Sequence, residues 1–257
     1  MEHLSLDTGG PIGSLTLDRP PANALDVAFA AELSEAVEHL AAAGDAVRAL
    51  IIKSANPRFF MAGGDIKGYA ARSTDEVVEL VASFRELFAS VEDLPMPTIA
   101  AVDGIAFGGG AELMLACDLR VVSPRAEIAV PEILIGGLPS AGGTQLLPRI
   151  VGYPVALELM LSGRAVDARE AERIGLVSAV AEDPVARAAE LAGTFAELSP
   201  VATRWIKTCA RSAFEPDREH GRRVEDDATR AVCATDTFKA KVRQFAERGV
   251  KAEAETR

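Results

Sequence analysis

The most apolar stretch of the chain, Thr98 to Cys117, constrains the fold more than any other feature. It contains Asp103, Glu112 and glycines at 104 and 108–110, so it does not read as a bilayer-spanning helix, which needs about 20 apolar residues with few or no charges. It divides instead into a strand over Pro97–Val102, a glycine-rich entrance and a helix reaching Ala116, with a further strand over Leu119–Val122. Strand, helix and strand in such quick succession point to the interior of an α/β domain.

The flanking segments agree. Ser14–Leu17 alternates with period two, and Ala49–Ile52 is a short continuous apolar run. Between them Leu25, Phe29, Leu33, Val37 and Leu40 recur at helical spacing, with Gly44 as a stop, which makes a βαβ-like unit. Ser73 and Glu76 form a capping box before a helix whose Val77, Leu80, Val81, Phe84, Leu87, Phe88 and Val91 share one face. Pro95 and Pro97 end it. Asp167 and Glu170 cap a short helix that Gly175 terminates. Beyond residue 184 the strand signal disappears. Ser199-Pro200 reads as an N-cap followed by proline at the first helical position, and the remainder reads as helical to Arg248, with Gly249 as the stop. The expected organisation is an α/β core over 1–197 and a helical region over 198–257, with a soft boundary at 195–200.

Composition narrows the function. A chain of 257 residues suits one sizeable domain, with or without an appendage. The net charge of −11 disfavours a nucleic-acid partner, because phosphate backbones are repelled. Apolar residues at 49% and charged ones at 25% exclude wholesale disorder. Aromatics are only 5%, so alanine and glycine supply much of the apolar content and backbone is expected to pack closely on backbone. Cys117, Cys209 and Cys233 are scattered and odd in number, which offers neither a disulfide framework nor a zinc knuckle. His3, His39 and His220 form no metal-binding pair, so no metal is expected. No basic and then apolar leader opens the chain; the expectation is a reduced, cytoplasmic protein with no membrane partner.

Three segments combine glycines with acids. The first is Phe59-Phe60-Met61-Ala62-Gly63-Gly64-Asp65-Ile66-Lys67, the second Ala106 to Glu112, and the third Val130-Pro131-Glu132-Ile133 with Gly136 to Thr144. Glycines at a helix entrance expose unpaired N–H groups at the positive end of the dipole, a setting suited to a carbonyl oxygen that gains charge during reaction. A Gly63-Gly64 turn after a strand can aim a second N–H into the same cleft; the plainer alternative for each segment is a tight turn or close packing. A dinucleotide fingerprint fails because Leu113 stands where GxGxxG needs glycine, and no Gly-Lys-Ser/Thr follows to make a P-loop. Ser140 lacks the glycine at 138 that a nucleophile elbow requires. Glu112 and Glu132, each in apolar surroundings, could divide the roles of proton acceptor and donor if they face one cleft; otherwise Glu132 is an exposed loop acid.

Taken together these segments resemble the crotonase family, the enoyl-CoA hydratase/isomerase superfamily. The resemblance runs from Arg19-Pro20 and Asn23-Ala24-Leu25 to residue 205. It takes in Ala62–Lys67, Ala100–Gly104 with Gly108–Glu112, Pro131-Glu132-Ile133 through Gly142-Gly143-Thr144-Gln145, Leu161-Ser162-Gly163, Ala168 to Val177 and Ser199-Pro200. It implies an α/β fold, a spiral of ββα units with a C-terminal helical region that covers the active site and builds homotrimers or dimers of trimers. It also implies that the N–H groups of Gly64 and Gly109 form an oxyanion hole for an acyl thioester. Ala24, Ala62, Asp65, Ile66 and Lys67 would border coenzyme A, which is part of the substrate and not a cofactor, with Lys67 and Arg58 as candidates for its phosphates. The segment after Lys67 would form part of the acyl pocket. Glu112 and Glu132 fall on the two positions that the hydratases fill with glutamate, which implies syn addition of water to a trans-2-enoyl-CoA, with Glu112 as base and Glu132 as acid.

Three departures from the family pattern stand out. Ser140 replaces a common glycine whose N–H helps to hold the water, Gly64 replaces a common alanine, and Ala240-Lys241 precedes Val242 and Phe245 where hydratases often carry an acidic-glycine pair. The rivals are a 3,2-enoyl-CoA isomerase, which needs only the acid at the position of Glu132, and a non-catalytic CoA- or RNA-binding member of the family.

Overall fold

The computed structural model describes residues 1–214 and 217–244, and only the backbone of Lys67 and Arg218. The expected helix stop at Arg248-Gly249, and Phe245, lie outside the described residues. In chain order the strands are β1 (Leu4–Asp7), β2 (Ile12–Leu17), β3 (Ala49–Ser54), β4 (Phe59–Met61), β5 (Thr98–Val102), β6 (Ile105–Phe107), β7 (Leu119–Val122), β8 (Glu127–Ala129), β9 (Val166–Asp167) and β10 (Ala179–Val180). The helices are α1 (Val27–Ala42), α2 (Ile66–Ala70), α3 (Thr74–Glu92), α4 (Gly109–Ala116), α5 (Gly143–Val151), α6 (Tyr153–Ser162), α7 (Ala168–Arg173), α8 (Pro184–Ala196), α9 (Pro200–Ser212) and α10 (Arg218–Ala234).

One sheet has the order β1-β2-β3-β5-β7-β10, parallel except for the β1–β2 pair; the other runs β4-β6-β8-β9, parallel except at β9. The chain therefore passes from a strand of the first sheet to a strand of the second and then to helix, at β3-β4-α2, β5-β6-α4 and β7-β8-α5. This is the ββα spiral expected from the sequence. Strands β3 and β5 are covered on both faces, which is why they read as largely apolar runs, and β7 is likewise covered although it carries the buried Arg120. Leu50, Ile52, Ala100, Val102 and Val122 turn to the larger core with Phe29, Phe60 and Phe88. Ala49, Ile51, Ile99, Ala101 and Val121 turn to α8, where Ala188 and Ala192 pack against them. Small residues on both sides let helix and sheet approach closely, so the alanine content finds its use here.

Glycine content matters most at α4. A Cβ on Gly110 would lie 2.1 Å from the Met61 carbonyl oxygen, so only glycine lets α4 seat against β4. Every residue of α4 from Gly110 to Ala116 is buried. The capping box at Ser73 forms as read, with Glu76 returning to the Ser73 amide. Phe84, Leu87, Phe88 and Val91 of that helix are buried, whereas Val77, Leu80 and Val81 are only partly so. Leu25, by contrast, precedes its helix: Asp26 is the N-cap, and Leu25 pairs with Gly64.

The chain divides into two compact units, Met1–Ala196 and Glu197–Arg257. In the second, Ser199 caps α9 with Pro200 in its first turn, and α9 packs on α10. The helical reading is interrupted there, since Ala213, Phe214 and Asp217 lie between the two helices and belong to neither. Among the described residues no helix is long and apolar enough to cross a membrane.

Candidate active site

The site begins where β4 and β6 deliver their glycines side by side. Segment 22–25 runs along segment 62–65: the Ala62 amide donates to Ala22 O at 3.0 Å, Leu25 to Gly63 O at 2.8 Å, and Asp65 to Leu25 O at 2.9 Å. Buried Asn23 fixes that segment, its Nδ2 donating to Ser54 Oγ and to Phe60 O, each at 2.8 Å. Ala24 is thereby brought beside Ala62, Gly64 and Asp65, which sequence separation alone does not disclose. A Cβ on Gly63 would fall 3.6 Å from the Gly109 amide nitrogen, and one on Gly109 would fall 3.9 Å from that of Gly64. The two proposed oxyanion amides thus come from adjoining backbone, one at the end of β4 and the other in the first turn of α4.

Glu112 lies in that same first turn, its amide donating to Gly108 O at 2.9 Å. Its side chain is only 4% exposed. The amides of Ala141 and Gly143 donate to its Oε1 at 2.8 and 3.0 Å, reaching from the entrance of α5 across some thirty residues of chain. Burial pushes its pKa up to about 7; the two amides oppose this and the charge of Glu132 adds to it. Glu132 sits in a short 3₁₀ turn, Pro131–Ile135, and is partly buried, not an exposed loop acid. Burial raises its pKa as well, and its Oε2 is buried without a hydrogen-bond partner among the described residues. A Cβ on Gly108 would come within 2.9 Å of Glu132 Oε1. The Glu132 carboxylate therefore comes against Gly108, the residue that opens α4, and the charge it places on Glu112 ties the two acids to one site beside the two candidate oxyanion amides.

Other expected positions differ in what they touch. The amides clamping Glu112 belong to Ala141 and Gly143, neighbours that the sequence reading did not single out, and Ser140 takes no part in that clamp. Ala62 and Ile66 are exposed, Asp65 is partly so, and Arg58 is exposed with its guanidinium 5.3 Å from the Phe59 ring centre. The side chain of Lys67 lies outside the described residues. Tyr69 was missed. Its hydroxyl stands against Gly64, and it lines a 280 Å³ cavity with Leu25, Asp65, Gly68, Arg72 and Leu80. The only signal for it was its place in the segment assigned to the acyl pocket. A larger cleft of 730 Å³ between α1 and α3 includes neither Glu112 nor Glu132 in its walls, so volume is a poor guide to the chemistry here.

Two amides beside a pair of raised-pKa carboxylates can polarise a carbonyl and move a proton beside it. Known proteins match the chain in sequence and in fold. The family model described as enoyl-CoA hydratase/isomerase covers residues 7–253. The mitochondrial methylglutaconyl-CoA hydratase of Mus musculus is 38% identical over 227 residues, 86% of this chain and 70% of that protein. Its Homo sapiens counterpart is 40% identical over 200 residues, 76% of this chain and 59% of its own length. Among solved structures, the enoyl-CoA hydratase of Bacillus anthracis superposes with a TM-score of 0.90 at 33% identity over 96% of each chain. Pseudomonas aeruginosa DspI superposes with a TM-score of 0.91 at 34% identity, over 96% of this chain and 95% of that one. With fold and sequence in agreement, the chain belongs to the enoyl-CoA hydratase/isomerase, or crotonase, family of enzymes.

Proposed function

We propose that the protein adds water reversibly, in syn fashion, to a trans-2-enoyl-CoA to give the 3-hydroxyacyl-CoA. The observation that carries this reading is the carboxylate pair: Glu112 held by two amides with a pKa of about 7, and Glu132 with a buried oxygen lacking a partner among the described residues. The N–H groups of Gly64 and Gly109 receive the thioester oxygen. Glu112 accepts a proton from water as the water oxygen bonds to C3, and the C2=C3 electron pair moves onto the thioester oxygen. The resulting enolate collapses by taking a proton at C2 from Glu132. The amide donors lower the barrier because they act on charge that exists only in the transition state and enolate. Sharing of protons between the two carboxylates makes their titration a property of the pair.

The names of the two mitochondrial relatives support a hydratase and add methylglutaconyl-CoA to the candidate substrates. Coenzyme A enters as part of the substrate, along Ala24, Ala62 and Asp65–Lys67. The test is a panel of 2-enoyl-CoAs from C4 to C16, with methylglutaconyl-CoA, followed by absorbance of the conjugated thioester. Loss of absorbance is expected. A gain from 3-enoyl-CoAs with no loss from 2-enoyl-CoAs would replace hydration by isomerisation, and silence on both would overturn the acyl-CoA reading.

A further inference from the structure

The Tyr69 hydroxyl has a place at the reacting end of the site that nothing in the two-amide, two-carboxylate scheme uses. A Cβ on Gly64 would lie 2.4 Å from that hydroxyl oxygen and 3.0 Å from the ring carbon bearing it. Adding one Cα–Cβ bond length places the hydroxyl within about 4 Å of the Gly64 Cα. An alanine at 64 would therefore expel the hydroxyl from its position. The glycine that departs from the family's common alanine makes room for the tyrosine.

We infer that the Tyr69 O–H is a third donor to the thioester oxygen, acting beside the Gly64 and Gly109 amides as that oxygen takes up negative charge. The inference rests on the acyl-CoA reading above. Among the described residues the hydroxyl has no hydrogen-bond partner, so its proton is not committed to another group. Burial, then the charges of Glu112 and Glu132, push the phenol above its ordinary pKa, which keeps it a donor at neutral pH; Asp65 adds to this and Arg72 opposes it. The ring borders the 280 Å³ cavity while the hydroxyl faces Gly64, so one side chain offers an apolar wall and a polar tip. Helix α2 holds it there through the Tyr69 amide, which donates to Asp65 O at 3.2 Å.

The experiment compares Tyr69→Phe, Gly64→Ala and the double variant with the wild-type protein. Two readouts are used: kcat and KM for crotonyl-CoA, and the pH at which bound acetoacetyl-CoA becomes its enolate, followed by near-ultraviolet absorbance. Loss of a donor to a charged oxygen lowers kcat by about 10- to 100-fold and raises the bound enolate's pKa by about one to two units, with KM little changed. Gly64→Ala should produce a similar loss, and the double variant should be no worse than the poorer single variant, because both remove the same hydrogen bond. Wild-type kcat and an unshifted enolate pKa in Tyr69→Phe would overturn the inference. Multiplicative losses in the double variant would do the same, by showing that the hydroxyl acts away from Gly64. If the wild-type protein binds no enolate at all, the acyl-CoA reading falls and takes this inference with it.

Discussion

Glu112 and Glu132 act on each other electrostatically from contrasting settings. Glu112 belongs to a helix buried from Gly110 to Ala116, and its Oε1 is clamped by the amides of Ala141 and Gly143. Glu132 belongs to a 3₁₀ turn whose neighbours Ile133, Leu134 and Ile135 are exposed, and its Oε2 lacks a partner among the described residues. One carboxylate is immobilised by backbone and desolvated; the other stands at the edge of the core with hydrogen-bonding capacity to spare. A base that must orient a water gains from fixation, and an acid that must deliver a proton gains from an unsatisfied oxygen facing the substrate. The division of roles proposed above agrees with that contrast in fixation.

The largest effect should come from removing either partner. Glu112→Gln and Glu132→Gln should each lower kcat for crotonyl-CoA by about 10³-fold with the fold intact by circular dichroism. Near-wild-type turnover in either variant would break the paired scheme. In the wild-type protein, kcat/KM should fall as pH drops through about 7, where Glu112 gains its proton.

Stability should sharpen the contrast next. The folded-state pKa of Glu112 is raised above the ordinary carboxylate value, so the folded protein binds more protons between about 4.5 and 7 and loses stability as pH rises through that window. Glu112→Gln removes this penalty. It should stabilise the protein by up to about 3 kcal/mol at pH 8 and by almost nothing at pH 4, measured by urea unfolding. Glu132→Gln should stabilise less, because its carboxyl is only partly buried. Equal gains from the two variants would mean that burial does not distinguish them. The smallest effect is expected at Ser140, which lies outside the clamp on Glu112. Ser140→Gly should change kcat by less than about threefold, whereas a loss comparable to that of Glu112→Gln would show that the Ser140 side chain handles the water.

Legibility followed segment length. Helices α1 and α3 and strands β2, β3, β5 and β7 carry enough residues for periodicity, capping or a continuous apolar run to register. The short strands β6, β8, β9 and β10 do not, having two or three residues each. Period-two alternation cannot show in so few residues, and their pairing comes from the first sheet and its crossovers. In the site, Glu112 and Glu132 were legible as acids in apolar company, and Gly109 as an unpaired amide at a helix entrance. The Ala141 and Gly143 clamp, and Tyr69 against Gly64, depend on which loop lands beside which helix, and no local pattern encodes that.

By itself, then, the sequence determined an α/β class and the chemical types gathered in three glycine-bearing segments, because residue type and spacing dictate local structure; the spiral of ββα units came only through the family resemblance those segments carry. Only the tertiary structure decided that Glu112 and Glu132 differ in fixation and burial, and that a tyrosine hydroxyl occupies the space left by Gly64. Those properties arise from the desolvation and contact of groups far apart along the chain, and they exist only once the two sheets have brought them together.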